Sequence, residues 1–155
     1  MAEEFDFIAP TDKPALLAIS TVEWLDLTRA ALLELGYKVH VVESHAQFHS
    51  RFHQANYEVV VMEEMFGGCG PGDNASLQTL QRMSMVQRRH ATVLLIGDAF
   101  ETLNALQAFA QSVHCVVSYS EMPLMGQLIQ KTVADNQTFL STFRDVQQRV
   151  FQKGA

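Results

Sequence analysis

The sequence lacks a run of basic residues, has only two cysteines, and contains no apolar stretch approaching the roughly 20 residues needed to span a bilayer. Each absence excludes something. Affinity for a phosphate backbone comes from neutralised phosphates and released counterions. With 11 Lys and Arg against 17 Asp and Glu, and a net charge of -6, direct nucleic-acid binding is not expected. Cys69 and Cys115 match no metal-ligand spacing and cannot form a disulfide framework, which points to a reducing cytoplasm. No secretory apolar region follows Met1. The expectation is a soluble cytoplasmic protein with no membrane partner. What is present in quantity is apolar surface: 48% of 155 residues, enough for one globular domain with a core.

Residues 1–13 mix acids, Pro10 and Thr11 without a period and read as an N-terminal tail. From Pro14 the pattern is regular. β-rich runs at Ala15 to Ile19, Lys38 to Glu43, Glu58 to Met62, Thr92 to Ile96 and Cys115 to Tyr119 alternate with helical stretches. That alternation builds an α/β, doubly wound, five-stranded parallel sheet of flavodoxin-like type. Ser20 to Glu23, Ser44 to Gln47 and Asp98 to Glu101 each place an N-cap residue three positions before Glu or Gln, so each predicts a helix start. The first helix is expected to bury Val22, Leu25, Ala30, Leu32 and Leu33 and to stop at Gly36, where a positive φ costs glycine little.

In open α/β sheets, sites form beyond the carboxyl ends of the strands. Here those ends carry Ser20 and Thr21 after the first strand, Glu63 after the third, Gly97 and Asp98 after the fourth, and Ser120-Glu121-Met122-Pro123 after the fifth. The segment Tyr57 to Gly68, a buried run ending in a carboxylate, and the turn Leu35-Gly36-Tyr37-Lys38-Val39 resemble the response-regulator receiver (CheY-like) superfamily. The resemblance covers about Pro14 to Asp135 and implies strand order 2-1-3-4-5. It also implies a site, and this sequence departs from it. A working receiver has an acidic pair after strand one to hold Mg²⁺, and Ser20 and Thr21 supply no carboxylate. The phosphoacceptor aspartate is matched by Glu63, the switch hydroxyl by Gly97, and the lysine before proline by Met122. Tyr119 matches the family's switch aromatic on the partner face.

Phosphoryl transfer rests on metal and cation stabilisation of the transferring group, and neither is supplied here. The resemblance therefore implies a non-enzymatic, non-phosphorylatable pseudo-receiver. Glu63 offers at most one negative charge where a phosphoryl group would carry about -1.5 to -2. Leu94-Leu95-Ile96-Gly97 and Glu121-Met122-Pro123 are further similar to the degenerate N-terminal receiver-like domains of bacterial sigma-54-dependent activators.

Other patterns compete for a role. His45, His49 and His53 recur every fourth residue, a spacing that lets two of them grip a transition metal, but they also read as the polar flank of a Phe48 and Phe52 stripe. No metal or cofactor is assigned. The run Gly67 to Gly72 could offer amides to an anion, which keeps open a flavodoxin-like small-molecule or nucleotide binder. It lacks the Walker lysine, and a lengthened loop accounts for it.

Leu124 to Phe151 contains only Gly126 as a breaker, so one helix of about 28 residues and about 42 Å is predicted. Its first half buries Met125, Leu128, Ile129 and Val133. Beyond it, within an extension over residues 136–155, Phe139, Phe143, Val146 and Val150 follow the 4-3-4 spacing of a coiled-coil seam. In an isolated domain these have nothing to pack on. The expected partner is a protein or effector domain, with a homodimer favoured, acting in a two-component or transcription-control pathway.

Overall fold

The computed structural model describes residues 7–153. Five strands form one parallel sheet in the order β2-β1-β3-β4-β5, the topology expected from the sequence. They are β1 (Pro14–Ala18), β2 (Lys38–Val41), β3 (Val59–Glu63), β4 (Thr92–Gly97) and β5 (Cys115–Ser118). Their alternating side chains feed two cores. Leu16, Val60, Met62 and Leu95 face one layer with Phe48, Phe52, Leu77, Leu80 and Phe100. Ala15, Leu17, Val61 and Ile96 face the other with Leu32, Met122, Met125 and Ile129. Strands β1, β3 and β4 are buried on both faces, which is why they read as continuous apolar runs rather than alternating ones.

The helices are α1 (Val22–Glu34), α2 (His45–Gln54), α3 (Ala75–Arg82), a single turn α4 (Met85–Arg88), α5 (Ala105–Gln111) and α6 (Met125–Lys153). α1 ends as expected at Gly36, at φ 88°. Its buried face is narrower than expected: Leu32 is buried and Leu25 half-buried, but Val22, Ala30 and Leu33 point outward. The Ser44 cap holds, accepting from the Gln47 amide, and the Gln47 side chain in turn accepts from the Glu43 amide. The Asp98 cap does not. No helix begins there; α5 starts seven residues later, where Asn104 accepts from the Gln107 amide.

α6 is one unbroken helix of 29 residues. Met125, Leu128, Ile129, Thr132 and Asn136 are buried against the sheet. The Asn136 amide donates to the Thr92 hydroxyl at the start of β4, 3.0 Å away. Past that tie the seam residues Phe139, Phe143, Val146 and Val150 are all exposed.

Candidate functional site

β3 delivers Glu63 to the carboxyl edge of the sheet, at a position only 4% exposed. An unpaired carboxylate could not stay charged there. Four donors converge on it instead. Oε1 accepts the backbone amides of Ser20 at 2.9 Å and Thr21 at 3.1 Å. Oε2 accepts the Thr21 hydroxyl at 2.7 Å and the Tyr119 hydroxyl at 2.8 Å. Burial alone raises the Glu63 pKa; the bonds from Thr21, Tyr119 and Ser20 outweigh it and hold the carboxyl below its ordinary value. The same arrangement keeps Tyr119 protonated, since burial and the neighbouring Glu63 carboxylate push its phenol well up.

Neither strand-end residue after β1 spends its side chain on capping α1. Thr21 occupies the N-cap of α1 but makes no side-chain cap bond, its hydroxyl being spent on Glu63. Ser20, expected to cap this helix, does not: its hydroxyl accepts the Gly67 amide at 2.8 Å. The reason is reach. With Ser20 one residue further from the helix and its own amide turned to Glu63, its side chain lies over the β3–α3 loop. Ser20 and Thr21 therefore present hydrogen-bond donors, not carboxylates, at the end of β1.

Tyr119 enters the site with its hydroxyl inward and its ring stacked on Trp24, centroids 5.6 Å apart. Trp24, the single tryptophan, was not singled out from the sequence, and its spacing within α1 marks it only as part of the inner face. Met122 is fully buried in a 3-10 turn over Tyr119–Leu124, packed into the layer with Met125 and Ile129. Gly97 is also closed off. A Cβ built there would lie 2.6 Å from Cδ2 and Cε2 of Phe100, whose ring covers the end of β4.

The β3–α3 loop is tied down in the same way. The Gly67 amide is bonded to Ser20, the Gly68 amide to the Met65 carbonyl, and the Asp73 amide to the Gly70 carbonyl. Those amides are committed within the chain rather than turned outward to an anion. Asn74 is the loop's fastener, and sequence reasoning missed it. Buried at 2% exposure, its Nδ2 donates to the carbonyls of Glu63 and Glu64, both at 3.1 Å, and its Oδ1 caps α3 through the Leu77 amide. Its signal was a cap residue preceding a short amphipathic helix that buries Leu77 and Leu80. Asn74→Ala should lower unfolding stability by about 2 kcal/mol in urea titration, from one lost cap and two orphaned carbonyls.

The histidines separate. His45 Nε2 lies 3.0 Å from the Phe66 carbonyl, which can only accept, so Nδ1 is the acceptor for the Ser76 hydroxyl and amide. His49 and His53 stack edge to face on the exposed flank of α2. Among the described residues no group of three His, Cys, Asp or Glu side chains is placed to hold a metal ion.

No protein-family model matches the sequence, and no curated protein matches it. Solved structures do. The chain is similar to HP1043, an orphan response regulator of H. pylori, at 17% identity over 77% of this chain and 95% of that one, TM-score 0.58. It is similar to a CheY-like response regulator receiver domain protein from Methanospirillum hungatei, at 11% identity over 83% of this chain and 98% of that one, TM-score 0.62. It is similar, too, to NtrX from Brucella abortus in complex with ADP, at 12% identity over 90% of this chain but 30% of that one, TM-score 0.66. The fold is the CheY-like, flavodoxin-like one.

Proposed function

We propose that this chain is a pseudo-receiver, a protein-interaction module of a signalling or transcription-control pathway that does not accept a phosphoryl group. One observation carries the reading: the carboxylate at the phosphoacceptor position is already saturated by four internal donors. Three of those donors come from Ser20 and Thr21, the two residues that would otherwise hold the metal. The positions of the switch hydroxyl and the lysine support the same conclusion, one filled by the Phe100 ring and the other turned into the core. The resulting module is cytoplasmic and non-enzymatic, and it signals through its surface, including the exposed seam of α6. That seam supports a homodimer.

The test is addition of acetyl phosphate, or of beryllofluoride with Mg²⁺, to the isotopically labelled protein while amide shifts are recorded. Ser20, Thr21, Glu63 and Tyr119 are expected to show no saturable change. Saturable shifts at these residues would remove the proposal.

A further inference from the structure

We propose that the cleft at the amino end of β5 binds a small apolar carboxylate of fatty-acid type, with Arg88 taking its head group. The inference goes beyond the pseudo-receiver reading and does not depend on it. The cleft lies between α4, α5, the start of β5 and α6, at the opposite end of the sheet from Glu63, and has a volume of about 1050 Å³. That is near the upper end of the range for small-molecule pockets, about 300–1,000 Å³. Its walls are largely apolar. Met85, Leu103, Phe109 and Phe139 line it from three helices and a loop, and each is 47% to 83% exposed. Large apolar side chains exposed singly are ordinary. Four that converge on one concave surface mark a binding groove.

Arg88 sets the charge of the ligand. Only 9% exposed, it donates to the Leu80 carbonyl at 2.8 Å and to the Ser112 carbonyl. Those bonds fix the guanidinium without neutralising it, and they occupy two of its five N–H groups. Among the described residues no carboxylate lies within ion-pair distance of it. Burial works against its charge, and no neighbouring acid opposes that effect. A buried cation without a counter-charge is costly. A bound carboxylate would offset the cost, and its two oxygens suit the planar fork of arginine.

The rest of the lining leaves that charge in place. Lys131 and Asp135 pair with each other at 2.7 Å, while Arg89 adds a second, exposed cation. The cleft thus carries three cations against one acid in a chain of net charge -6. Other polar groups there are already bonded: the Thr132 hydroxyl donates to the Leu128 carbonyl at 2.7 Å, and His114 Nδ1 accepts the Val93 amide at 2.9 Å. An extended peptide would find no ladder to join, because the outer edge of β5 is closed. The Leu103 amide donates to the Val116 carbonyl at 3.1 Å, and the Ser118 amide to the Thr102 hydroxyl at 2.9 Å. A small amphipathic anion meets the remaining demand.

The experiment titrates decanoate into the isotopically labelled full chain, with decyltrimethylammonium as a ligand of matched tail and opposite head. Decanoate should shift the amides of Val113, His114, Cys115 and Phe139 saturably, with a dissociation constant at or below about 1 mM. It should also raise the His114 pKa, which burial and the nearby Arg88 lower in the free chain. Arg88→Gln should weaken binding at least about tenfold. Phe109→Asp, at an exposed position, should do the same, and it decides the matter if Arg88→Gln does not fold. Decyltrimethylammonium should leave these amides unsaturated. No saturable decanoate shift at these amides overturns the site. Equal binding of the two ligands, or decanoate binding undiminished in the folded variants, overturns the carboxylate assignment.

Discussion

Glu63→Ala should lower unfolding stability by about 3 kcal/mol, measured as a shift of the urea midpoint at unchanged slope. The substitution removes no large apolar contact. It leaves the Ser20 and Thr21 amides and two hydroxyls without their acceptor, in a place where the carboxylate was almost wholly covered. Buried backbone amides are costly to orphan, at about 1–3 kcal/mol each. The hydroxyls of Thr21 and Tyr119 sit nearer the surface and recover part of their loss to water. Glu63→Gln keeps the shape and an acceptor for both amides, and the two hydroxyls can reverse to accept from its NH₂ group. It should cost about 1 kcal/mol. The same pair of variants reads the site directly: Trp24 emission should shift in Glu63→Ala, because the Tyr119 ring it stacks on loses its anchor.

The pH dependence follows from the same bonds. The Glu63 pKa is lower in the folded chain than its ordinary value of 4.5. The folded state therefore binds fewer protons than the unfolded state in the window between the two values. This contribution is fully present above pH 4.5 and is lost as pH falls through the folded pKa. Glu63→Gln should flatten this part of the acid-unfolding curve. An unchanged curve would mean that the four bonds do not favour the charged form.

How much of this was legible in the sequence depends on the distance over which each feature is decided. The sheet was legible because each buried strand writes a local apolar run, and the end of α1 because Gly36 meets a local backbone demand. Capping was legible only in part. Asp98 to Glu101 and Asn104 to Gln107 carry equivalent cap patterns six residues apart, and only the packing of Phe100 onto β4 favours the second. Ser20 failed as a cap for a related reason. Its neighbours in sequence called for a helix start, but Glu63 and Gly67, 43 and 47 residues away, claimed its amide and hydroxyl. Glu63 itself was visible as a misplaced carboxylate; that four donors would saturate it was not, because they come from two other strand ends. The direction of Met122 was likewise set by the α1 and α6 layer and not by its place before Pro123.

A hydroxyl side chain at the end of β4 should be poorly tolerated, and the cause can be named. Gly97→Ser is expected to cost about 3 kcal/mol. The backbone is not the obstacle, since Gly97 is not among the positive-φ residues. The obstacle is the Phe100 ring, 2.6 Å from the new Cβ and buried among the residues of the α3 and α5 layer, with the Glu64 carboxylate 3.1 Å away on another side. A ring packed in a core cannot withdraw as an exposed side chain would. Phe100→Ala alone should cost about 3 kcal/mol through the cavity it leaves. In the double variant the serine enters that space, so the pair should cost about as much as Phe100→Ala alone. The coupling energy between the sites is then about 2–3 kcal/mol in the compensating direction. Simple additivity would mean that the close approach is relieved by some other movement. Compensation would show that glycine at this position is required by the aromatic lid over β4, so that no side chain enters there by a single substitution.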